Sequence, residues 1–213
     1  MKTLLINGSP HEKGNAFIAL RIVADSLEEE GIETEIYQIP AEPILGCRAC
    51  HACKEKGVGY CVMDGDAVNI LIDKIKDADA LVIGSPVHYA GPSGQLKAIL
   101  DRVFFAGSVA GIFTGKPASA VCSVRRGGAT AALEVLQKYF TISGMPIAPT
   151  TYWPMIHGRH EGEAVQDEEG VQEMQMLGRT IAWLLKCIQA GKDSGLSYPE
   201  MPGGKKIMTN FIR

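Results

Sequence analysis

Apolar residues run along this chain in two rhythms. Short strand-like runs, mostly continuous rather than alternating, occupy Leu4–Asn7, Thr34–Ile39, Ala80–Gly84, Ala118–Val124 and Ile147–Tyr152. Continuous runs of this length belong to strands buried on both faces. Between them, apolar positions recur every three or four residues, as on the core face of a helix. Ala16, Leu20, Val23 and Leu27 form one such face, followed by a glycine stop at Gly31. Val68, Leu71, Ile72 and Ile75 form a second, in a helix starting near Asp64 or Asp66, and Leu96, Ile99, Leu100 and Val103 a third. A fourth helix covers Thr130–Phe140. The last covers Asp167–Ala190, with Met174, Leu177, Ile181, Leu184 and Ile188 facing inward.

Five strands, each followed by a helical stretch, predict an α/β domain with a parallel sheet covered on both faces. Right-handed crossovers leave few ways to wind it. Two stretches break the rhythm. Residues 43–63 are rich in cysteine and have no clear period, so they read as an insert in a domain spanning 1–190. Residues 191–213 are rich in Gly and Pro and read as an extended arm. Because it ends in the partly apolar Thr209-Asn210-Phe211-Ile212-Arg213, the arm is expected to dock onto a neighbouring subunit, near the ligand site.

Composition narrows the class. The 213 residues are 46% hydrophobic, as in an ordinary globular domain long enough to bury a substantial core. A net charge of −3 with scattered Lys and Arg gives no reason to expect nucleic acid as a partner. No apolar stretch is long enough to span a bilayer, and Met1-Lys2 leads into a strand rather than a secretory signal. Four of the six cysteines fall within fifteen residues. In a signal-less chain of this size they point to metal or redox chemistry rather than structural disulfides, so the expected location is the cytoplasm.

In such a sheet, ligands bind beyond the carboxyl ends of the strands, where three loops should meet. The first, Gly8-Ser9-Pro10-His11-Glu12-Lys13-Gly14-Asn15, matches neither a P-loop nor a dinucleotide turn. Ser9 offers a hydroxyl, Asn15 an amide and Gly14 bare backbone, ahead of a helix N-terminus that favours an anion. These features suit a terminal phosphomonoester held without metal; an ordinary Gly-Asn helix cap is the plainer alternative. In the second loop, Ser85–Pro92, Pro86 and Gly91 shape a wide turn, and His88 and Tyr89 supply flat surfaces for an aromatic ring. The third, Ser123–Thr130, sets Arg125 and Arg126 beside Gly127 and Gly128, which suits an anionic group or an electron-rich pyrimidine edge, or simply a solvated connection. Tyr152-Trp153 and His157-Gly158-Arg159-His160 end the fifth strand on the same rim. They are candidates for a substrate pocket or a nucleotide phosphate, or for a subunit interface and a loop cap.

Cys47, Cys50 and Cys53 follow a C-x2-C-x2-C spacing, with Cys61 seven residues beyond. Such spacing lets thiolates turn inward around one inorganic core, as in a [4Fe–4S] cluster. Zinc, a labile disulfide or a set of buried small residues are the alternatives. Lys54, Lys56, His51 and Arg48 would offset the thiolate charge. Cys122 and Cys187 read as core residues.

Taken together, "INGSPHEKGNA", "GSPVHYAGPSGQLKAILDR" and the compact cysteine run resemble the flavodoxin-like NADPH-dependent FMN reductase family, its iron–sulfur flavoprotein branch most closely, over roughly residues 1–190. The resemblance implies a flavodoxin-like fold with strand order 2-1-3-4-5 and bound FMN. It places the FMN phosphate on Ser9, Gly14, Asn15 and Ala16, and the ring and ribityl chain against Pro86, Val87, His88, Tyr89 and Gly91. The ring edge would lie near Arg125, Arg126, Gly127 and Gly128. The chain departs from the family at Ala16 (commonly Thr) and His88 (commonly Tyr), and in a slightly longer last cysteine gap. Homodimers or homotetramers are implied, with FMN near a subunit interface.

The implied function is an FMN-dependent oxidoreductase that uses NAD(P)H to reduce a flavin, quinone or similar small acceptor. His88 and Arg126 are the candidates for tuning the reduced flavin, together with Arg125. The second reading is an electron carrier, in which FMN and a [4Fe–4S] centre at Cys47, Cys50, Cys53 and Cys61 exchange electrons with a ferredoxin-like partner. A nucleotide-sensing or zinc-stabilised module is the third.

Overall fold

A computed structural model describes residues 1–204 and 206–210. Five parallel strands form one sheet: β1 (Lys2–Asn7), β2 (Glu33–Gln38), β3 (Ala80–Pro86), β4 (Ala118–Val124) and β5 (Met155–His157). Their order is β2-β1-β3-β4-β5, a flavodoxin-like, doubly wound arrangement. Helices α1 (Asn15–Glu29), α2 (Ala52–Lys56), α3 (Ala67–Asp77), α4 (Gly94–Gly107), α5 (Ala129–Ile142) and α6 (Glu168–Asp193) connect and flank the strands.

Alternate residues of each central strand feed opposite layers. Leu5, Val82 and Val121 pack with Leu20, Val23 and Leu27 of α1 and with Leu177 and Ile181 of α6. Leu4, Ile6, Leu81, Ile83 and Cys122 face the layer of α3, α4 and α5. Each large apolar side chain so buried contributes about 1.5–3 kcal/mol by removal from water, and both faces are filled, which is why these strands read as continuous apolar runs. Burial pushes the Cys122 thiol up to about 12, so it is an inert core group.

The caps set the helix starts. Asp66 Oδ1 accepts from Val68 N at 3.1 Å to begin α3, and Asp167 Oδ1 accepts from Gly170 N at 3.0 Å to begin α6. Ser93 caps α4 by accepting from Leu96 N, and its hydroxyl donates to Gly8 O at 2.6 Å, tying the first loop to the third strand's helix. By contrast, α1 and α5 start at glycines, Gly14 and Gly128, with no side-chain cap.

The fifth strand differs from the sequence expectation. Of Ile147–Tyr152, only Ile147 bridges Ala118, and Ala148 N donates to Ala118 O at 2.9 Å. Pro149 then lacks the N–H that would continue the ladder, and Glu173 draws the following residues away. Its carboxylate accepts from the Thr151 hydroxyl and from Tyr152 N. Pairing resumes at Met155–His157, in register with Cys122–Val124.

Among the described residues no helix is long and apolar enough to cross a membrane. The Tyr198 ring lies on its own chain, over Gly115 and Gly144, at the pole that holds the amino ends of the strands. There it covers a cavity of about 490 Å³ lined in part by Met1, Lys116 and Leu184. Residues 211–213, the apolar end expected to dock near the ligand, lie outside the described residues.

Candidate functional site

The strand order reverses between β1 and β3, and doubly wound sheets bind ligands beyond the carboxyl edge at that point. A cleft of about 370 Å³ opens there. Its wall comes from four loops: Ser9, His11, Gly14, Asn15 and Ala16 after β1; Pro86, Val87 and His88 after β3; Ser123, Val124 and Arg125 at the end of β4; and Gly158–Glu161 after β5. The larger cavity under Tyr198 sits at the opposite pole and touches none of these loops.

The first loop is preorganised by its own polar groups. Ser9 is buried; its N–H donates to Asn7 Oδ1 at 3.2 Å, and its hydroxyl oxygen accepts from His11 N at 3.0 Å. Gly14 has no side chain to cap α1, and the first turn of α1 carries no acidic residue. The amides of that turn are thus left for an external anion. Asn15, on the cleft wall, also holds the last loop through both ends of its side chain. Nδ2 donates to His160 O at 2.9 Å, and Oδ1 accepts from Ala164 N at 3.2 Å. Glu163 fixes the same loop by accepting from Arg159 N and His160 N.

The second loop closes as a two-residue turn. His88 and Gly91 exchange both backbone hydrogen bonds, at 2.8 and 2.9 Å, with Tyr89 and Ala90 at positive φ (49° and 58°). That geometry keeps His88 on the cleft wall and points Tyr89 fully into solvent. Tyr89 and Gly91 therefore do not line the cleft of a single chain. In the third loop Arg125 lines it, and Arg126, Gly127 and Gly128 do not. Gly128 has another task. Its φ of +96° favours glycine, and a Cβ there would come within 2.9 Å of Ala90 Cα, so the two loops pack directly on one another. Val87 N donating to Ser123 O at 3.0 Å joins them as well.

Gly158–Glu161 belong to the cleft, whereas Tyr152 and Trp153 stay half-exposed outside it. His157 Nδ1 pairs with Asp167 Oδ2 at 2.9 Å, and its N–H donates to the same oxygen. Burial opposes the charge on Asp167, but hydrogen bonds from Gly170 and His157 hold its carboxyl below the ordinary range.

The four clustered cysteines come together elsewhere. Cys47, Cys50, Cys53 and Cys61 line one small cavity of about 20 Å³, beside Arg48, His51 and Arg102. Ala49 and His51 both take positive φ (50° and 57°), an uncommon conformation for such residues, and so turn the chain sharply between the thiols. Burial pushes the Cys53 thiol up, and neighbouring Cys61 and Cys50 add to it. Among the described residues no three His, Cys, Asp or Glu side chains already close around a single-ion position. Four thiols on one cavity, one of them bonded to a guanidinium, are nonetheless a donor set that fits a thiolate-ligated iron–sulfur group.

Arg102 was not legible as part of this region. It lies on the apolar stripe of α4, one helical turn from Ile99, and is 1% exposed. Its Nε donates to Cys61 Sγ at 3.3 Å, Nη1 to Leu45 O at 3.2 Å and to the Asp66 carboxylate, and Nη2 to Met63 O. A charged residue on a helix's apolar stripe was the only available signal.

A flavodoxin-like sheet with a polar cleft at its carboxyl edge and an uncapped helix N-terminus on the cleft wall defines a class of phosphate-bearing cofactor proteins. The family model for NADPH-dependent FMN reductase matches residues 1–160, and the chain belongs to that oxidoreductase family. An iron–sulfur flavoprotein of Methanocaldococcus jannaschii is 30% identical over 201 residues, covering 89% of this chain and all of that protein. An NAD(P)H dehydrogenase (quinone) of Archaeoglobus fulgidus is 26% identical over 184 residues, covering 79% and 90%. In fold, the WrbA-like flavodoxin of Agrobacterium tumefaciens superposes with a TM-score of 0.63 at 18% identity, covering 87% of this chain and 98% of that one.

Proposed function

We propose that this protein is an FMN-dependent oxidoreductase that takes hydride from NAD(P)H and reduces a quinone, a free flavin or a similar small acceptor. For a quinone the balance is NAD(P)H + H⁺ + quinone → NAD(P)⁺ + quinol. The observation that carries this reading is the cleft itself, where an uncapped helix N-terminus and three other loops converge at the strand-order reversal. FMN, when bound, supplies the hydride and one-electron chemistry.

The chain's own residues bind and tune. Ser9 and the backbone amides of Asn15 and Ala16 hold the phosphate, with Gly14 allowing close approach. Pro86, Val87 and His88 face the ring and ribityl chain. Arg125 and His88, which both line the cleft, would favour the anionic reduced flavin as cation and hydrogen-bond donor, with Arg125 the better placed of the two arginines. Asn15 acts through the loop it holds rather than through its own contact with phosphate. The rim formed by Tyr89, Gly91 and Arg126–Gly128 is left for a second copy of the chain, in keeping with a homodimer or homotetramer. Six free thiols suit a reducing compartment such as the cytoplasm.

The cysteine cavity favours a second, compatible role. Cys47, Cys50, Cys53 and Cys61 would ligate a [4Fe–4S] cluster through which the protein passes single electrons to a ferredoxin-like partner. Steady-state oxidation of NADPH and NADH with quinone, FMN or ferredoxin as acceptor tests both roles. Turnover with the small acceptors supports the reductase, and transfer only to ferredoxin makes the carrier role primary. No NAD(P)H oxidation with any acceptor would overturn the reductase.

A further inference from the structure

We infer that Arg102 is a positioning residue for the cysteine site: it fixes the Cys61 sulfur from the core side and supplies the buried positive charge that the thiolate set requires. This rests on the [4Fe–4S] reading proposed above and names a residue no motif assigns to it.

Three observations converge. First, Arg102 is wholly buried, and its side chain has no access to solvent, so its charge must be compensated locally. Asp66 compensates it, while the other Asp66 oxygen caps α3. Second, the remaining guanidinium N–H groups reach Leu45 O, Met63 O and Cys61 Sγ. Leu45 lies just before the first of the four cysteines and Met63 just after the last. One side chain thus pins both ends of the irregular segment onto α4. Third, the other cations near the cysteines are exposed: Arg48 lies on the solvent side of the same cavity, and Lys54 stands over the Phe105 ring at 4.4 Å. A solvated lysine is screened far more than a buried guanidinium.

The consequence is electrostatic as well as geometric. Hydrogen bonds and fixed charge at ligand sulfurs set the potential of such groups. Reduction adds negative charge at the thiolate set, and a fixed cation on one sulfur favours the reduced state. α4 also begins against the first loop, where the Ser93 hydroxyl donates to Gly8 O. A single helix therefore carries Arg102 at the cysteines and a cap at the flavin loop.

The experiment compares wild type, Arg102→Gln, Arg102→Lys and Asp66→Asn, all purified and reconstituted with iron and sulfide without oxygen. Iron per chain, the spectroscopic signal of the reduced cluster and its midpoint potential are read, with FMN content as the folding control. R102Q should keep FMN but shift the cluster's reduction equilibrium about tenfold toward the oxidised form (59 mV for a one-electron couple), and lower its iron content. R102K should fall between R102Q and wild type. D66N removes the countercharge and leaves Arg102 in place, so it should shift the equilibrium toward the reduced form. R102K keeps a charge opposite Asp66, so the idea stays testable even where R102Q or D66N fails to fold. Wild-type iron and potential in R102Q, or a D66N shift that is absent or reversed, would overturn the role of Arg102 alone. A wild-type protein that takes up no iron overturns the cluster reading, and this inference with it.

Discussion

Replacing Asn15 by Ala separates two ways in which the first loop could contribute to FMN binding. The side chain makes two hydrogen bonds, to His160 O at 2.9 Å and from Ala164 N at 3.2 Å. Each net contribution is about 0.5–1.5 kcal/mol, and solvent access to the His160 bond places the pair near the lower end, at about 1.4 kcal/mol together. The bonds hold Gly158–Glu161 against the cleft, so their loss lowers the closed-to-open ratio of the loop about tenfold, and apparent affinity falls by that factor where the open loop predominates and by less where it does not. Asn15→Ala should therefore raise the dissociation constant for FMN by up to about tenfold. Because the loop rather than the phosphate is affected, riboflavin should lose the same factor. Fluorescence quenching of both flavins by apoprotein measures this directly. A loss confined to FMN would mean that the amide contacts the phosphate, and no loss for either would mean that the loop contributes nothing to binding.

Other residues give sharper single readings. Gly128→Ala should destabilise the protein by about 2 kcal/mol in urea unfolding, since an L-residue at φ +96° meets Ala90 backbone at 2.9 Å; unchanged stability would mean the two rim loops do not pack as described. Arg125→Ala should disfavour reduced flavin about tenfold while Arg126→Ala changes it little, and spectroelectrochemistry that finds the reverse ranking would return the tuning role to Arg126. Asp167 and Glu173 both titrate below their ordinary values in the folded chain. For Asp167 burial opposes this and hydrogen bonds from Gly170 and His157 outweigh it; for Glu173 burial is outweighed by Thr151 and Tyr152. Their stabilisation is complete above about pH 5 and is lost as pH falls through the folded values. Asp167→Asn should thus lower the urea midpoint at pH 7 and flatten its decline toward pH 3; an equally steep decline would show that other carboxyls set it.

The sheet was legible because its strands are buried on both faces, so Leu4–Ile6, Ala80–Gly84 and Ala118–Val124 declare themselves without reference to partners. The fifth strand was not, because Ile147–Tyr152 is apolar enough but Pro149 and the Glu173 carboxylate redirect it, and neither effect has a period. The site was half legible. Ser9, Gly14, Ala16, Pro86, Val87, His88 and Arg125 could be placed on the cleft because loops at strand carboxyl ends meet in this topology. That Tyr89 turns outward depends on two consecutive positive φ angles, and that Asn15 reaches 145 residues along the chain to His160 depends on tertiary packing. Arg102 is the extreme case, since a lone arginine in an amphipathic helix reads as solvated until its four acceptors are seen.

If the carboxyl-edge cleft holds FMN, NAD(P)H should reduce it there. The visible spectrum of the full chain, purified without oxygen and then treated with NADPH or NADH, tests it most directly. The expected result is a yellow protein whose flavin bands bleach on adding one of the two nucleotides. A colourless protein that takes up no FMN, or a flavin that neither nucleotide reduces, would contradict it.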